Sequence, residues 1–124
     1  MLVKYKRSYE KIAMGFLSFI PDLKDLNTLN NEITLYQDDD SHELYLWKNE
    51  SDDFSGIVGL EVEDKYIVIR QISLSPSERG EGNSLAILDE VHALYPDHKM
   101  MGSFETTKLV AKWEARNRHQ NTGV

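Results

Sequence analysis

The 124-residue chain has no cysteine, which excludes disulfide staples, thiol nucleophiles and cysteine-ligated zinc. Proline is scarce, at Pro21, Pro76 and Pro96, so few points force a break in regular structure. Basic charge is short as well: 14 Lys and Arg against 21 Asp and Glu leave a net charge of -7. A chain so acidic lacks the broad positive footprint that nucleic acid requires, and no nucleic-acid partner is expected. Local basic spots remain available for small anions. No apolar run approaches the roughly 20 residues of a membrane span. The basic start, Met1 to Arg7, is not followed by an apolar stretch of secretory length. These absences predict a cytoplasmic protein without a membrane partner. What is present, 40% hydrophobic residues in 124, suffices for one core and one domain.

Periodicity places the elements. Leu2 to Tyr5 alternates and predicts a first strand. Ser8 is placed to cap a helix whose apolar face is Tyr9, Ile12, Ala13, Phe16, Leu17 and Ile20. Pro21 ends it, and Asp22 is placed to cap a second helix with Leu23, Leu26, Leu29 and Ile33 on its stripe. Asp38-Asp39-Asp40-Ser41 reads as a solvated loop, without the ligand alternation and central glycine of a calcium loop. After His42 the period changes to two. Leu44 and Leu46, Phe54 to Val62, and Tyr66 to Leu74 predict three antiparallel strands joined by short turns. A helix is expected from Gly82 to Tyr95, a strand from Lys99 to Phe104, and a last helix from Thr106 to Asn117. Residues 118–124 read as a polar tail.

The chemistry concentrates in Leu74-Ser75-Pro76-Ser77-Glu78-Arg79-Gly80-Glu81-Gly82-Asn83-Ser84. A strand ends at a proline turn and runs through Arg-Gly-x-Gly into a helix. Backbone N–H groups at a helix N-terminus converge on one point, and the helix dipole adds partial positive charge there. Gly80 and Gly82 are expected to supply φ freedom and close backbone approach, and Arg79 a full charge. The sum is a cradle for a diphosphate. It is neither a dinucleotide fingerprint, since Leu85 stands at the third glycine, nor a Walker loop, since no Gly-Lys-Ser/Thr follows.

This stretch resembles the acetyl-CoA motif of the GCN5-related N-acetyltransferases (GNAT), hydrophobic-x-Pro-x-x-Arg-Gly-x-Gly-x-Gly/Ala, and the element order β-α-α-β-β-β-α-β-α over residues 1–117 is similar to that family's. The resemblance implies an α/β fold of α+β type around a mostly antiparallel mixed sheet, shortened at its C-terminal end. It also implies acetyl-CoA as cosubstrate, no metal, and direct acyl transfer to an amine acceptor, a small molecule or a protein. Ile72, Ser73, Leu74, Arg79, Gly80, Glu81, Gly82, Asn83 and Ser84 are the implied acetyl-CoA contacts. Within the family, the run from Lys4 to Phe19 and Leu44-Tyr45-Leu46-Trp47-Lys48 are similar to the RibT group of bacterial riboflavin operons. Departures are Ser84 for the motif's last Gly or Ala, Asn83 for an aliphatic residue, and Lys112-Trp113-Glu114 where many members carry a tyrosine general acid.

For the acceptor's proton the candidates are Glu61 and Glu63, and for the leaving thiolate Tyr95 or water. Arg70 reads as a structural or acceptor-binding charge. His42, His92, His98 and His119 show no metal-ligand spacing, and no Gly-x-Ser-x-Gly elbow is present. Two functions stay open: an acetyl-CoA-dependent N-acetyltransferase, and a CoA-binding module with little catalysis. An edge strand at Lys99 to Phe104 predicts a homodimer, with Met100, Met101, Phe104 and Trp113 as the apolar groups nearby.

Overall fold

A computed structural model describes residues 1–122, apart from the side chains of Glu81, His119, Gln120, Asn121 and Thr122. Five strands, β1 (Leu2–Lys4), β2 (His42–Lys48), β3 (Phe54–Val62), β4 (Tyr66–Leu74) and β5 (Lys99–Gly102), form one sheet in sequence order. The first four are antiparallel, and β5 joins β4 in parallel. That one parallel pair requires a crossover, which α3 (Glu81–Leu94) provides. Helices α1 (Glu10–Leu17) and α2 (Leu26–Asp38) cover one face of the sheet, whereas α3 and α4 (Thr107–Thr122) cover the other.

The alternation of β2 divides its side chains between two cores. Leu44 and Leu46 pack with Leu17, Leu29, Ile33 and Ile57 beneath α1 and α2. Tyr45 and Trp47 pack with Leu60, Ile67, Ile69, Ile87, Leu88 and Trp113 beneath α3 and α4. Each such side chain withdrawn from water contributes about 1.5–3 kcal/mol. Tyr45 and Trp47 are thus core on the α3 side. Glu90 of α3 holds the sheet's first edge by accepting from Leu2 N–H at 3.0 Å and Trp47 Nε1 at 2.7 Å.

Several boundaries differ from the sequence-based expectation. Ser8 caps nothing, because a 3-10 turn at Arg7–Tyr9 leads into α1, which stops at Leu17. Pro21 starts a second 3-10 turn, and the cap of α2 is Asp25, whose carboxylate accepts from Thr28 N–H at 3.1 Å. The later start rotates the stripe of α2 to Leu29, Ile33 and Tyr36 and leaves Leu26 exposed. β5 ends at Gly102, where a Cβ would meet Thr107 Cα at 2.7 Å. The chain turns there because Thr106 Oγ1 donates to Ile69 O at 2.6 Å. α4 continues past Asn117 to Thr122, since no glycine or proline interrupts it before Gly123. The remainder of the expected tail, 123 and 124, lies outside the described residues. Met100 and Trp113 are buried in their own chain, so only Met101 and Phe104 of the expected dimer patch are exposed.

Candidate active site

The parallel pairing of β4 and β5 runs only from Tyr66 and Lys99 to Ile69 and Gly102. Beyond that point β4 continues to Leu74 while the other chain turns away, so the two strands open into a wedge. Its vertex is fastened by Ser103, whose N–H donates to Ile69 O at 3.2 Å and whose Oγ donates to Arg70 O at 2.9 Å. The opening coincides with a β-bulge. Gly59 pairs with Gln71 and Leu60 with Ile69, which leaves Arg70 as the extra residue on β4.

The bulge has two consequences. First, it resets which backbone groups face β3. Ser75 N–H donates to Ser55 O at 2.9 Å, and hydrogen-bonded pairs alternate along an antiparallel ladder. Gln71 and Ser73 are therefore turned to β3, whereas the N–H groups of Ile72 and Leu74 point into the wedge. Second, Arg70 and Gln71 emerge on the same face, towards α2. There Arg70 Nη2 donates to both oxygens of Glu32, at 2.6 and 2.9 Å, and Gln71 Nε2 donates to Glu32 at 3.0 Å. Arg70 Nε donates to Tyr36 Oη at 3.1 Å, and that hydroxyl donates to Gln71 Oε1. Burial pushes the Tyr36 hydroxyl well above the ordinary phenol range, although the Arg70 cation works against it. Burial opposes the Arg70 charge, but Tyr36 and Glu32 outweigh it and hold the guanidinium still more firmly protonated. Gly59 lies beneath this network with no room for a side chain, since its Cβ would meet Tyr36 Cζ at 2.7 Å.

The loop from β4 to α3 is shaped by its own side chains. Arg79 Nε donates to Leu74 O at 3.2 Å, and its guanidinium lies 5.1 Å from the centre of the Phe19 ring. Asn83 Nδ2 donates to Glu78 O at 2.7 Å, and Asn49 Nδ2 to Glu78 Oε1 at 2.9 Å, which fixes the turn before the helix. Neither Gly80 nor Gly82 has a left-handed φ, so the expectation that they supply φ freedom is corrected. A Cβ at either would meet nothing within 4 Å. What these glycines provide is open space before the first turn of α3. Ser84 N–H already bonds Gly80 O at 3.4 Å, so the N–H groups of Gly82 and Asn83 stand nearer the free end of the helix.

Two cavities meet at the wedge. The larger, about 500 Å³, is lined by Ile72, Ser73, Leu74, Arg79, Gly80 and Ser84 together with Phe19, Ile20, Pro21 and Glu105. The smaller, about 210 Å³, is lined by Ile20, Asp22, Leu23, Glu32, Arg70, Gln71, Ser103 and Glu105. Six of the nine cofactor-binding candidates thus share one cavity. Gly82 and Asn83 stand just behind it on α3, and the side chain of Glu81 lies outside the described residues. The candidate catalytic residues are not brought to the cavities. Glu61 faces His42, 3.6 Å away, and Glu63 sits at the turn into β4. Tyr95 donates to Glu43 at the far end of α3, 14 residues and about 21 Å of helix from the loop. His42 lies against Asp39 and Glu61, His92 against Trp113 and His98 against Tyr95, whereas the side chain of His119 is outside the described residues. Sequence reasoning missed Phe19, Ser103 and Glu105, which come from the end of α1 and the β5–α4 turn. Pro21 was legible only as a helix stop.

The geometry combines an anion-directed helix end, a strand edge with inward N–H groups, and a polar side pocket. Comparison with known proteins agrees with that arrangement. No protein-family model matches the chain. Over 115 residues it is 37% identical to an uncharacterised N-acetyltransferase encoded in the lysA 3' region of Bacillus methanolicus, covering 92% of this chain and 95% of the relative. Among solved structures it resembles a chimera of Vibrio cholerae spermidine N-acetyltransferase SpeG with hSSAT, at TM-score 0.67 and 14% identity, covering 93% of this chain and 79% of the other. It also resembles aminoglycoside 6'-N-acetyltransferase AAC(6')-Ih of Acinetobacter baumannii, at TM-score 0.65 and 10% identity, covering 100% of this chain and 89% of the other. These two likenesses establish the fold. Among the described residues, no helix is long and apolar enough to cross a membrane.

Proposed function

The chain belongs to the GNAT-type N-acetyltransferases, and on that premise we propose that it transfers an acetyl group from acetyl-CoA directly to an amine. The observation that carries this reading is the meeting of the two cavities at the opening between β4 and β5. The first turn of α3 and Arg79 receive the CoA diphosphate, with Gly80 and Gly82 leaving its path clear. Ile72 and Leu74 offer N–H groups to the acyl-bearing arm, and one of them polarises the thioester carbonyl. The amine enters from the side pocket, where Arg70 is already neutralised by Glu32 and the carboxylates of Asp22 and Glu105 remain. That balance selects a cationic amine, the chemistry named for the spermidine and aminoglycoside enzymes among the structural neighbours. The resemblance of Lys4 to Phe19 and of Leu44 to Lys48 to the RibT group supports a bacterial cytosolic setting and a link to riboflavin metabolism.

A second reading, a CoA-binding module with little catalysis, is favoured by one feature. Where many family members carry a tyrosine general acid, Trp113 is buried and donates Nε1 to Asp89 at 2.9 Å. Among the described residues, no tyrosine lines either cavity. The test is thiol release from acetyl-CoA with a panel comprising spermidine, an aminoglycoside and a lysine-containing peptide. The chain's lack of cysteine removes the protein's own background. Amine-dependent thiol release supports the transferase. Binding of acetyl-CoA without release selects the second reading, and no binding refutes both.

A further inference from the structure

Acyl transfer to an amine requires a group that removes a proton from the incoming ammonium, and the residues suggested by sequence for that role line neither cavity. The requirement is geometric before it is electronic: the base must reach the point where acyl donor and acceptor meet. Among the described residues, only Ile20 and Glu105 line both cavities, and of the two only Glu105 can take a proton. It stands two residues beyond Ser103, the residue that fastens the wedge vertex, and Ser103 Oγ lies 3.4 Å from Glu105 Oε2. Its side chain is exposed at the mouth of the site and makes no part of the core, so it can exchange a proton with solvent between turnovers.

The other charged groups around the site are committed elsewhere or placed elsewhere. Glu32 is held by Arg70 and Gln71. Asp22 lines the smaller cavity alone, and Arg79 the larger one alone. From this arrangement we infer that Glu105 is the general base of the transfer, a catalytic residue, while Asp22 anchors the acceptor's charge. This rests on the transferase reading proposed above.

The step balances as follows. The acceptor ammonium gives one proton to the Glu105 carboxylate and becomes a neutral amine. Its nitrogen attacks the thioester carbon; the N–C bond forms and the C–S bond breaks, with the electron pair leaving on sulfur. The nitrogen's second surplus proton passes to the departing thiolate, and Glu105 returns its proton to water. Nothing is oxidised or reduced.

The experiment compares wild type, Glu105→Gln, Glu105→Asp and Asp22→Asn across pH, using whichever amine of the panel the wild type acetylates best. Glu105→Gln is expected to lower kcat by roughly 10²–10⁴-fold, to flatten the acidic limb of the pH–rate profile, and to leave acetyl-CoA affinity and melting temperature unchanged. Glu105→Asp should recover part of the rate. Asp22→Asn should raise KM for the amine and leave both kcat and the limb intact. If Glu105→Gln retains the wild-type kcat and limb, or raises KM alone, the assignment is overturned while the transferase reading stands. If the wild type acetylates no amine, the transferase reading fails and the assignment fails with it.

Discussion

Replacing Gly59 with alanine adds one methyl group at the centre of the polar network that floors the acceptor pocket. The new Cβ would meet Tyr36 Cζ at 2.7 Å, and it would press on Tyr36 Oη and Gln71 Oε1 as well. Tyr36 Oη and Gln71 Oε1 are side-chain ends, but the hydrogen bond between them holds both in place. Tyr36 is buried under α2, and Gln71 is buried on a central strand. Overpacking of this kind costs about 1–3 kcal/mol. Separating Tyr36 from Gln71 leaves a buried polar group without its partner, for about 1–3 kcal/mol more. The sum, about 2–6 kcal/mol, is a large share of the roughly 5–15 kcal/mol that holds a domain of this kind together. At about 3–4 °C per kcal/mol for a chain of this length, the melting temperature should fall by about 6–24 °C. The assay is thermal unfolding by circular dichroism, with Gly15→Ala as its control. Gly15 lies within α1, and a Cβ there meets nothing within 4 Å, so alanine should stabilise by up to about 1 kcal/mol through helix propensity. A Gly59→Ala protein that melts with the wild type would refute the account of this network.

Asp39 accepts hydrogen bonds from the Ser41 side chain and backbone and from His42, which hold its carboxyl down at about 2. A depressed carboxyl contributes stability that is present above its unfolded pKa, about 3.9, and lost as pH falls towards 2. The melting-temperature gap between wild type and Asp39→Asn should therefore be full at pH 5 and close by pH 2; a constant gap would contradict the assignment. The open edge of β5 and the exposed Met101 and Phe104 predict self-association. Sedimentation equilibrium at micromolar concentration should give about twice 14.3 kDa, reduced to the monomer mass by Met101→Asp, and a monomer mass at every concentration would dismiss the dimer.

Elements with strong local signals were legible in the sequence. The period-two run Tyr66 to Leu74 became β4 with those bounds, and Pro76 with Arg79-Gly80 marked the turn into α3. What escaped notice depended on distant residues. The bulge at Arg70 stands beside Gly59, where Tyr36 and Gln71 fill the space a side chain would take, and no local sequence pattern announces that meeting. Glu105 read as one acidic residue among 21 Asp and Glu, and it acquires meaning only where β5 leaves β4. Asp25 displaced Asp22 as the cap because Pro21 favours a tight turn of its own, a competition between two equally good local signals.

The central claim is that the first turn of α3 and Arg79 receive the CoA diphosphate, and calorimetric titration with acetyl-CoA tests it most directly. Wild type should bind one molecule per chain. Arg79→Ala removes a charged donor and should weaken binding by about 1.5–3 kcal/mol, roughly ten- to 150-fold. Gly80→Val should weaken it further at unchanged melting temperature, because the added side chain enters space that the fold leaves open. Equal affinity of all three proteins, or no binding by the wild type, would contradict the account.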